Sequence, residues 1–349
     1  MRVLFLSDTH LGFDLPSHPR VERRRRGPDF FEGFERALEP ARRGQVDVVV
    51  HGGDLLYRSR VPAWLVDAAL KPLREVAASG IPVVLLLGNH ERSRVPYPLL
   101  AVHDGLHVFD RPRSLLVERA GLRVAFIGFP YVRDLRPRFR DVLADASRQA
   151  PPADVRVLCM HQCVEGATCG PGNYVFRSGG EVVRRMDLPS DVAVVLCGHI
   201  HRYQVLSGTS GPPVVYAGST ERTSSAEAAE TKGFVTFALT AGGLGRLEFH
   251  PLQTRPMVTL MVASDGPEDA VIARLGDAIA RTPRDAIVRI RWAGPTPQGL
   301  TAAALREMAG SRNLSIAPPW PGTLRPAVTG GSGTPSAGDS SAVRLGGGR

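Results

Sequence analysis

Residues 83–92 read VVLLLGNHER, in which five apolar residues are followed at once by glycine, asparagine, histidine and glutamate. An unbroken apolar run of this length is typical of a strand that is buried on both faces. Because strand ends of an α/β sheet meet at one edge, where loops build sites, a recurrence of this junction would indicate a shared site. The junction recurs in VLFLSDTH (3–10), VDVVVHGGD (46–54), VRVLCMH (155–161) and VAVVLCGHIH (192–201).

Residues 1–254 combine such strands with short helical patterns. The stretches 29–43 and 63–79 predict helices. Fewer helical patterns lie between the later predicted strands, at 122–129, 212–218, 233–239 and 245–252. Continuous Val, Leu and Ile strings need cover on both faces, from helices or from a second sheet. We therefore expect an α/β fold in which two mixed sheets form a sandwich.

The pattern of the chain changes after Thr254-Arg255-Pro256. Residues 255–312 predict a small αβ module of alternating elements, with strands at 257–264 and 285–292 and helices at 267–281 and 299–310. Residues 313–349 are rich in Gly, Ser and Pro, and we expect them to form a disordered tail.

The composition limits the classes of function. The chain has 349 residues and a net charge of +9, which favours a polyanionic partner such as DNA. Lys71 and Lys232 are the only lysines, so part of this excess reflects a general arginine bias. The four cysteines form no C-x-x-C pair, and we find neither a leader nor an apolar run of about 18 residues. We expect reduced thiols, no membrane partner and a cytoplasmic location.

The polar residues at the five junctions are suited to metal binding. Asp-x-His and His-x-His place two side chains on one side of an extended backbone, so each pair could chelate an ion. Carboxylates, imidazoles and one amide, without a thiolate, suit Mn²⁺, Fe²⁺ or Zn²⁺ better than a structural cysteine-rich zinc site. Seven ligands fit two ions if one carboxylate bridges them. The seven are Asp8, His10, Asp54, Asn89, His161, His199 and His201.

Together, these blocks resemble the calcineurin-like metallophosphoesterases, whose pattern is D-x-H, G-D, G-N-H-[DE], a lone His and G-H-x-H. The resemblance implies an αββα metallophosphoesterase sandwich that hydrolyses phosphoesters at two divalent ions, with Mn²⁺ expected and Fe²⁺ or Zn²⁺ as alternatives. Asp54 would bridge the two ions. The first ion would be held by Asp8, His10 and His201. The second would be held by Asn89, His161 and His199.

The same resemblance implies roles for the neighbouring residues. His90 is not a ligand in the family pattern and would stabilise the transition state or protonate the leaving oxygen. Glu91 would orient a nearby histidine, and His51 would be structural. The family often has a second catalytic histidine three residues after the bridging aspartate. Tyr57 occupies that position here, and we expect it to position substrate.

Two segments, AGSTERTSSAEAAETKGF (217–234) and SDTHLG followed by DFFEGFERAL (29–38), resemble the SbcD/Mre branch of DNA-repair exonucleases. The resemblance covers about residues 1–310 and implies a DNA exo/endonuclease of double-strand-break repair with a capping module. Substrate phosphates would contact Arg23, Arg24, Arg25 and Arg26, although the stretch also fits a solvated charged loop. The alternative functions are a phosphoesterase for a small phosphoester or cyclic nucleotide, and a DNA-end-binding scaffold with weak catalysis.

Resemblance to the SbcD/Mre branch implies two further partners, a second copy of the chain and an ATPase. Members dimerise through helices near 63–79, where Leu65, Ala69, Leu73 and Val76 have helical spacing, although ordinary core packing explains them equally well. Members also bind a coiled-coil ATPase of the SbcC type through a helical segment after the cap. Here that region is Gly/Ser-rich, which puts this partner in doubt.

Overall fold

The computed structural model describes residues 1–13, 26–91, 103–148, 150–207 and 211–316 of the chain. No helix in these ranges is both long enough and apolar enough to cross a membrane. The helices are α1 (Gly27–Ala37), α2 (Glu39–Arg42), α3 (Ala63–Ala78), α4 (Phe139–Ser147), α5 (Glu268–Ala280) and α6 (Ala302–Ala309), with 3₁₀ turns at Arg136–Arg138, Arg185–Asp187 and Ser225–Glu227. The strands are β1 (Arg2–Leu6), β2 (Val48–His51), β3 (Val83–Leu86), β4 (Leu106–Phe109), β5 (Arg113–Arg119), β6 (Leu122–Gly128), β7 (Val155–His161), β8 (Cys163–Val164), β9 (Thr168–Cys169), β10 (Tyr174–Val175), β11 (Val182–Val183), β12 (Val194–Gly198), β13 (Gln204–Leu206), β14 (Val214–Tyr216), β15 (Gly233–Thr240), β16 (Gly243–Pro251), β17 (Met257–Val262), β18 (Ile287–Trp292) and β19 (Asn313–Ile316).

Two six-stranded sheets form the body of the described chain. Their strand orders are β16-β15-β1-β2-β3-β4 and β13-β14-β12-β7-β6-β5. Strands β1 to β4 run parallel, as do β6, β7, β12 and β14, whereas the remaining strands of both sheets pair antiparallel. Both sheets are therefore mixed, and the predicted α/β sandwich is confirmed.

The unbroken apolar strands are explained by cover on both faces of each sheet. In β1, Val3 and Phe5 pack in the core between the two sheets, whereas Leu4 and Leu6 pack beneath α1 and α3. Alternate residues point to opposite faces, so a strand buried on both sides has no polar face. Each fully buried side chain of this size contributes about 1.5–3 kcal/mol of transfer free energy. The second sheet is covered on its outer face in the same way, by a core that includes Phe139 of α4.

The predicted helix 29–43 is two helices. Helix α1 buries Phe30, Phe34 and Ala37 against the first sheet and ends before Leu38. Proline lacks an N–H group and its ring clashes with the carbonyl four residues earlier, so Pro40 cannot continue α1. It is accommodated instead in the first turn of α2.

Helix α3 confirms the predicted helix 63–79. Its apolar positions Leu65, Ala69, Leu73 and Val76 are all buried in the core beneath the first sheet. Of the two explanations left open by the sequence, core packing applies to these four side chains. They do not form a surface for a second copy of the chain.

The C-terminal module is a parallel three-stranded sheet in the order β17-β18-β19, with a core of its own. Its first four elements match the predicted strand–helix–strand–helix series. Strand β19 corrects the predicted boundary, because Asn313 to Ile316 pair with Ile287 to Ile290 instead of starting a tail. The remainder of the predicted tail, 317–349, lies outside the described residues.

Candidate metal centre

The polar residues of the five junctions meet at one edge of the sandwich. They follow or end β1, β2 and β3 in the first sheet and β7 and β12 in the second. Within each sheet these strands are parallel neighbours, so their carboxyl ends lie on the same side. The side chains delivered there belong to Asp8, His10, Asp54, Asn89, His90, His161, His199 and His201.

The loops that carry these residues are tightly turned. The backbone is in the left-handed region at Asp8 (φ 52°), His10 (φ 46°), Asp54 (φ 54°) and His199 (φ 88°). Such a conformation costs a non-glycine residue about 1–3 kcal/mol and clusters at functional sites. The His10 N–H donates to the Asp54 carbonyl at 3.0 Å, so neighbouring loops hold each other in place. The extended-backbone explanation of D-x-H and H-x-H is therefore wrong, because turned loops make the side chains converge.

The first predicted metal position is a compact group. Ligand-capable atoms of Asp8, His10 and His201 all lie within 4.8 Å of one another. Nε2 of His10 lies 2.9 Å from Nε2 of His201, and the latter atom lies 4.0 Å from Oδ1 of Asp8. The Asp8 carboxylate is fixed in turn, because it accepts hydrogen bonds from the Ser7 hydroxyl at 2.6 Å and from the His199 N–H at 3.1 Å.

The second predicted position is centred on Asn89. Its Oδ1 lies 2.8 Å from Nδ1 of His199 and 3.1 Å from Nε2 of His161. The other ring nitrogen of His161 donates to the carbonyl of Gly52 at 2.7 Å, because a carbonyl oxygen can only accept. The three side chains therefore converge on one another as the predicted ligands of a second ion.

Asp54 lies between the two groups. Its Oδ2 is 3.3 Å from Nε2 of His161 and 3.9 Å from Nε2 of His10. The other oxygen accepts a hydrogen bond from the backbone N–H of His90 at 2.9 Å. This packing requires a glycine at position 88, since a Cβ atom on Gly88 would lie 2.0 Å from Oδ1 of Asp54. Asp54 thus has the position that a bridging carboxylate needs.

Burial and mutual charge shift the pKa values of this centre. Burial alone would raise the pKa of Asp54, but the charge of His161 and a hydrogen bond from it hold that pKa well below its usual range. For His161, burial is outweighed by Asp54, which raises the pKa to about 9. Burial and the neighbouring charge of His161 lower the pKa of His199 to about 3. Without metal, the centre therefore holds a charged pair beside a neutral imidazole.

His90 is more exposed than two predicted ligands that lie close to it, His10 and Asp54. Its side chain is 36% exposed, against 1% for His10 and 2% for Asp54. Its Nδ1 donates to the carbonyl of Tyr57 at 2.7 Å, so the ring is held at one nitrogen while Nε2 lies 4.0 Å from Oδ2 of Asp54. The ring of Tyr57 lies against His90, with centroids 5.6 Å apart. Both residues are partly exposed, and their rings pack together beside the centre.

Glu91 holds two loops together through hydrogen bonds from the backbone. Its oxygens accept hydrogen bonds from the N–H groups of Leu56 and Gly88, each at 2.9 Å. Burial and then the charge of Asp54 raise its pKa to about 7. His51 is fully buried beside the Thr9 hydroxyl at 3.1 Å, in agreement with a structural role.

The sequence interpretation missed the residues behind His201. Nδ1 of His201 lies 3.2 Å from Oε1 of Glu227, and Oε2 of Glu227 lies 2.6 Å from the ammonium group of Lys232. Segment 217–234 carries a family signature but no local pattern that predicts this contact. The sequence offers one signal, because Lys232 is one of two lysines among 43 basic residues. The structure shows that this lysine is fully buried.

Arg26 is part of the interior, which corrects its predicted contact with DNA. It is 7% exposed and forms an ion pair with Glu221 at 3.3 Å. It also donates to the carbonyl of Arg222 at 2.6 Å, and its guanidinium lies 5.2 Å from the ring centroid of Phe30. The other predicted contacts, Arg23, Arg24 and Arg25, lie outside the described residues.

Comparison with known proteins assigns the family. Residues 1–203 match the calcineurin-like phosphoesterase family. The chain belongs to this family. Metallophosphoesterases of this kind carry a dinuclear divalent metal site. The clusters of described residues that could hold an ion here are Asp8, His10 and His201; His10, Asp54 and His90; and Asp8, Asp54 and His161.

Relatives of this phosphoesterase are named DNA double-strand break repair protein Mre11. The protein from Haloferax volcanii is 30% identical over 329 residues, which cover 90% of this chain and 66% of the relative. The protein from Methanosarcina acetivorans is 28% identical over 329 residues, covering 90% of this chain and 49% of the relative. The chain thus spans about half to two thirds of their length. A solved dimetal phosphatase from Danio rerio aligns with 12% identity and a TM-score of 0.43, covering 72% of this chain and 98% of that one.

Proposed function

We propose that this phosphoesterase is a two-metal phosphodiesterase that cleaves DNA, as an exo/endonuclease of double-strand-break repair. The observation that carries the proposal is the position of Asp54, buried between two groups of ligand-capable side chains delivered by both sheets. The name shared by the Mre11 relatives supports DNA as the substrate.

The residues present fit two divalent ions. The donors are carboxylate oxygens, imidazole nitrogens and one amide oxygen, and the described centre contains no thiolate. We assign Asp8, His10 and His201 to one ion, Asn89, His161 and His199 to the other, and Asp54 to both. Two such ions would neutralise charge on the phosphate oxygens and lower the pKa of water. We propose Mn²⁺ because hard oxygen donors accompany the imidazoles.

His90 is the proposed catalytic residue of the chain itself. Its Nδ1 proton is held by the Tyr57 carbonyl, and Nε2 of its partly exposed ring lies 4.0 Å from Oδ2 of Asp54. From there the ring can deliver a proton to a leaving oxygen, which contributes about 10²–10⁴-fold in rate. Tyr57, whose ring packs against His90 and lies 5.9 Å from the His10 centroid, would position the phosphate backbone.

DNA is preferred to a small phosphoester because of two features outside the centre. The chain carries a net charge of +9, and Arg23, Arg24 and Arg25 precede α1 as a basic stretch suited to phosphates. A separate αβ module packs beside the loop behind the metal centre, where the Arg289 guanidinium reaches the hydroxyl of Ser225. A small substrate needs neither feature.

The test is hydrolysis by the purified full chain with Mn²⁺, on end-labelled linear DNA, a cyclic dinucleotide and p-nitrophenyl phosphate esters. An Asp54→Ala chain prepared in parallel is the control for contaminating nucleases. The proposal predicts Mn²⁺-dependent shortening of DNA that the control lacks. Rapid hydrolysis of the cyclic dinucleotide with intact DNA would assign the chain to small phosphoesters. DNA-end binding without hydrolysis of any substrate would make it a scaffold.

A further inference from the structure

A chain of alternating charges lies directly behind His201. The ammonium group of Lys232 lies 2.6 Å from Oε2 of Glu227 and 2.9 Å from Oε2 of Glu230, and it donates to the backbone carbonyl of His201 at 2.9 Å. These three contacts use all three donors of the ammonium group. Arg202 extends the chain, because its Nε lies 3.0 Å from Oε1 of Glu230. Every charge in the series therefore has an opposite neighbour.

Stability alone is a weak reason for this arrangement. Lys232 is fully buried and Glu227 is 8% exposed, so both lose most of their hydration on folding. The cost of desolvating a buried ion pair often exceeds the attraction that it gains, and an apolar pair of similar volume is often as stable. The contact between Glu227 and His201, a predicted metal ligand, offers a functional reason for the arrangement.

The contact fixes which nitrogen of His201 carries the proton. Oε1 of Glu227 lies 3.2 Å from Nδ1 of His201. The Thr223 hydroxyl donates to the same oxygen at 2.7 Å, so its own oxygen, also 3.2 Å from Nδ1, can only accept from the ring. A carboxylate can only accept hydrogen bonds, so Nδ1 is the donor and the lone pair is left on Nε2. That Nε2 is the atom that lies 2.9 Å from Nε2 of His10 in the first metal position.

We propose that Glu227, locked by Lys232, is the positioning residue that aims His201 at the first metal ion. The inference rests on the metal-binding part of the proposed function. Glu227 acts through the imidazole and touches neither the substrate nor the ion. A carboxylate partner fixes the orientation of a ligating histidine and makes it a stronger donor, and its loss typically costs about 10–100-fold in metal affinity.

The first test is calorimetric titration of Mn²⁺ into the full chain and its variants. Glu227→Leu should weaken one of the two bound equivalents by about 10–100-fold and leave the other unchanged. Glu227→Gln should lose less, because its amide oxygen still accepts from Nδ1. Glu221→Gln is the matched control, since Glu221 is also buried and ion-paired in this segment but pairs with Arg26. Its two affinities should equal those of the unchanged protein.

The second test needs no variant of Glu227 to fold. In the metal-free protein, ¹⁵N-histidine NMR should show a hydrogen-bonded, slowly exchanging proton on Nδ1 of His201, assigned by its loss in His201→Gln. A rapidly exchanging proton there, or none, would overturn the inference, as would unchanged Mn²⁺ affinity in folded Glu227→Leu. Failure of the unchanged protein to bind Mn²⁺ would instead refute the proposed function.

Discussion

The two halves of the metal centre are supported in different ways. In the second half, His161 is fully buried and donates to the backbone carbonyl of Gly52. In the first half, the side chain of His201 is 25% exposed and is held by the carboxylate of Glu227. A backbone partner is fixed by the fold itself, whereas a side-chain partner can be removed by one substitution. The fold therefore sets His161 in the second half, whereas the side chain of Glu227 sets His201 in the first.

Because His161 and His201 are held by different partners, we expect the two ions to be separable by mutation. Asp54 is the exception, because it faces both halves. Variants can therefore be ordered by how much of the centre they remove. Replacement of Asp54 affects both halves, replacement of one ligand affects one half, and replacement of a residue outside the ligand set affects neither.

The largest effect is expected for Asp54→Ala. We expect most Mn²⁺ to be lost from both positions, and cleavage to fall below that of His161→Ala or His201→Ala, each of which should retain one ion. Metal analysis after gel filtration, together with cleavage of labelled DNA, measures both quantities. Retention of one full equivalent of Mn²⁺ in Asp54→Ala would contradict this expectation, because Asp54 would then belong to one half only.

His90→Ala should leave both halves loaded. We expect Mn²⁺ occupancy and DNA affinity to remain while single-turnover cleavage falls by about 10²–10⁴-fold, the usual contribution of a general acid. His250→Ala, on β16, is the control for the loss of an imidazole distant in sequence from the centre. If His90→Ala loses an ion together with activity, His90 is a ligand of the first half and the assignment is wrong.

A pH effect should distinguish the second half in the metal-free protein. The fold holds the proton of His161 up to a pKa of about 9, above the ordinary value of 6.5. This stabilisation is fully present below about pH 6.5, is lost as the pH rises through about 9, and amounts to roughly 3 kcal/mol. Urea unfolding of the metal-free protein across this range, compared with His161→Asn, measures the contribution. Parallel pH profiles for the two proteins would contradict it.

Substitution of the basic stretch Arg23–Arg25 should have the smallest effect. It should weaken DNA binding and leave metal binding unchanged in both halves of the centre. Replacement of Arg23, Arg24 and Arg25 by alanine should weaken DNA binding at all sequences and reduce its salt dependence by about 0.9 per lost phosphate contact. Replacement of the arginines at 136, 138 and 140 removes the same charge elsewhere and is the control. Equal effects of the two triple variants would indicate a nonspecific charge effect.

The sequence predicted those features that depend on local pattern. Strands such as VVLLL are recognisable because burial on both faces excludes polar residues. The order of the five junctions along the chain also indicates one family. Pro40 also carried a local signal against a single helix 29–43, since proline cannot continue a helix from within it. Strand β19 was missed because four residues are too short to show a period, and it is defined by pairing with β18.

The contacts of individual polar residues could not be predicted in the same way. Glu227 meets His201 across 26 positions of sequence, and Arg26 meets Glu221 across 195. No periodicity encodes such pairs, so Glu227 was missed and Arg26 was assigned to DNA. The left-handed backbone at Asp8 and His10 was also hidden, because neither residue type requires it and only the packed loops enforce it.

We propose that both halves of the centre hold an ion and share Asp54. Electron paramagnetic resonance of the full chain, titrated with Mn²⁺, can detect this arrangement, because two Mn²⁺ ions about 3.5–4 Å apart are magnetically coupled. We predict a coupled Mn²⁺ spectrum that reaches its maximum at about two ions per chain, and that Asp54→Ala abolishes. A spectrum of isolated Mn²⁺ at every loading of the unchanged protein would contradict the shared centre.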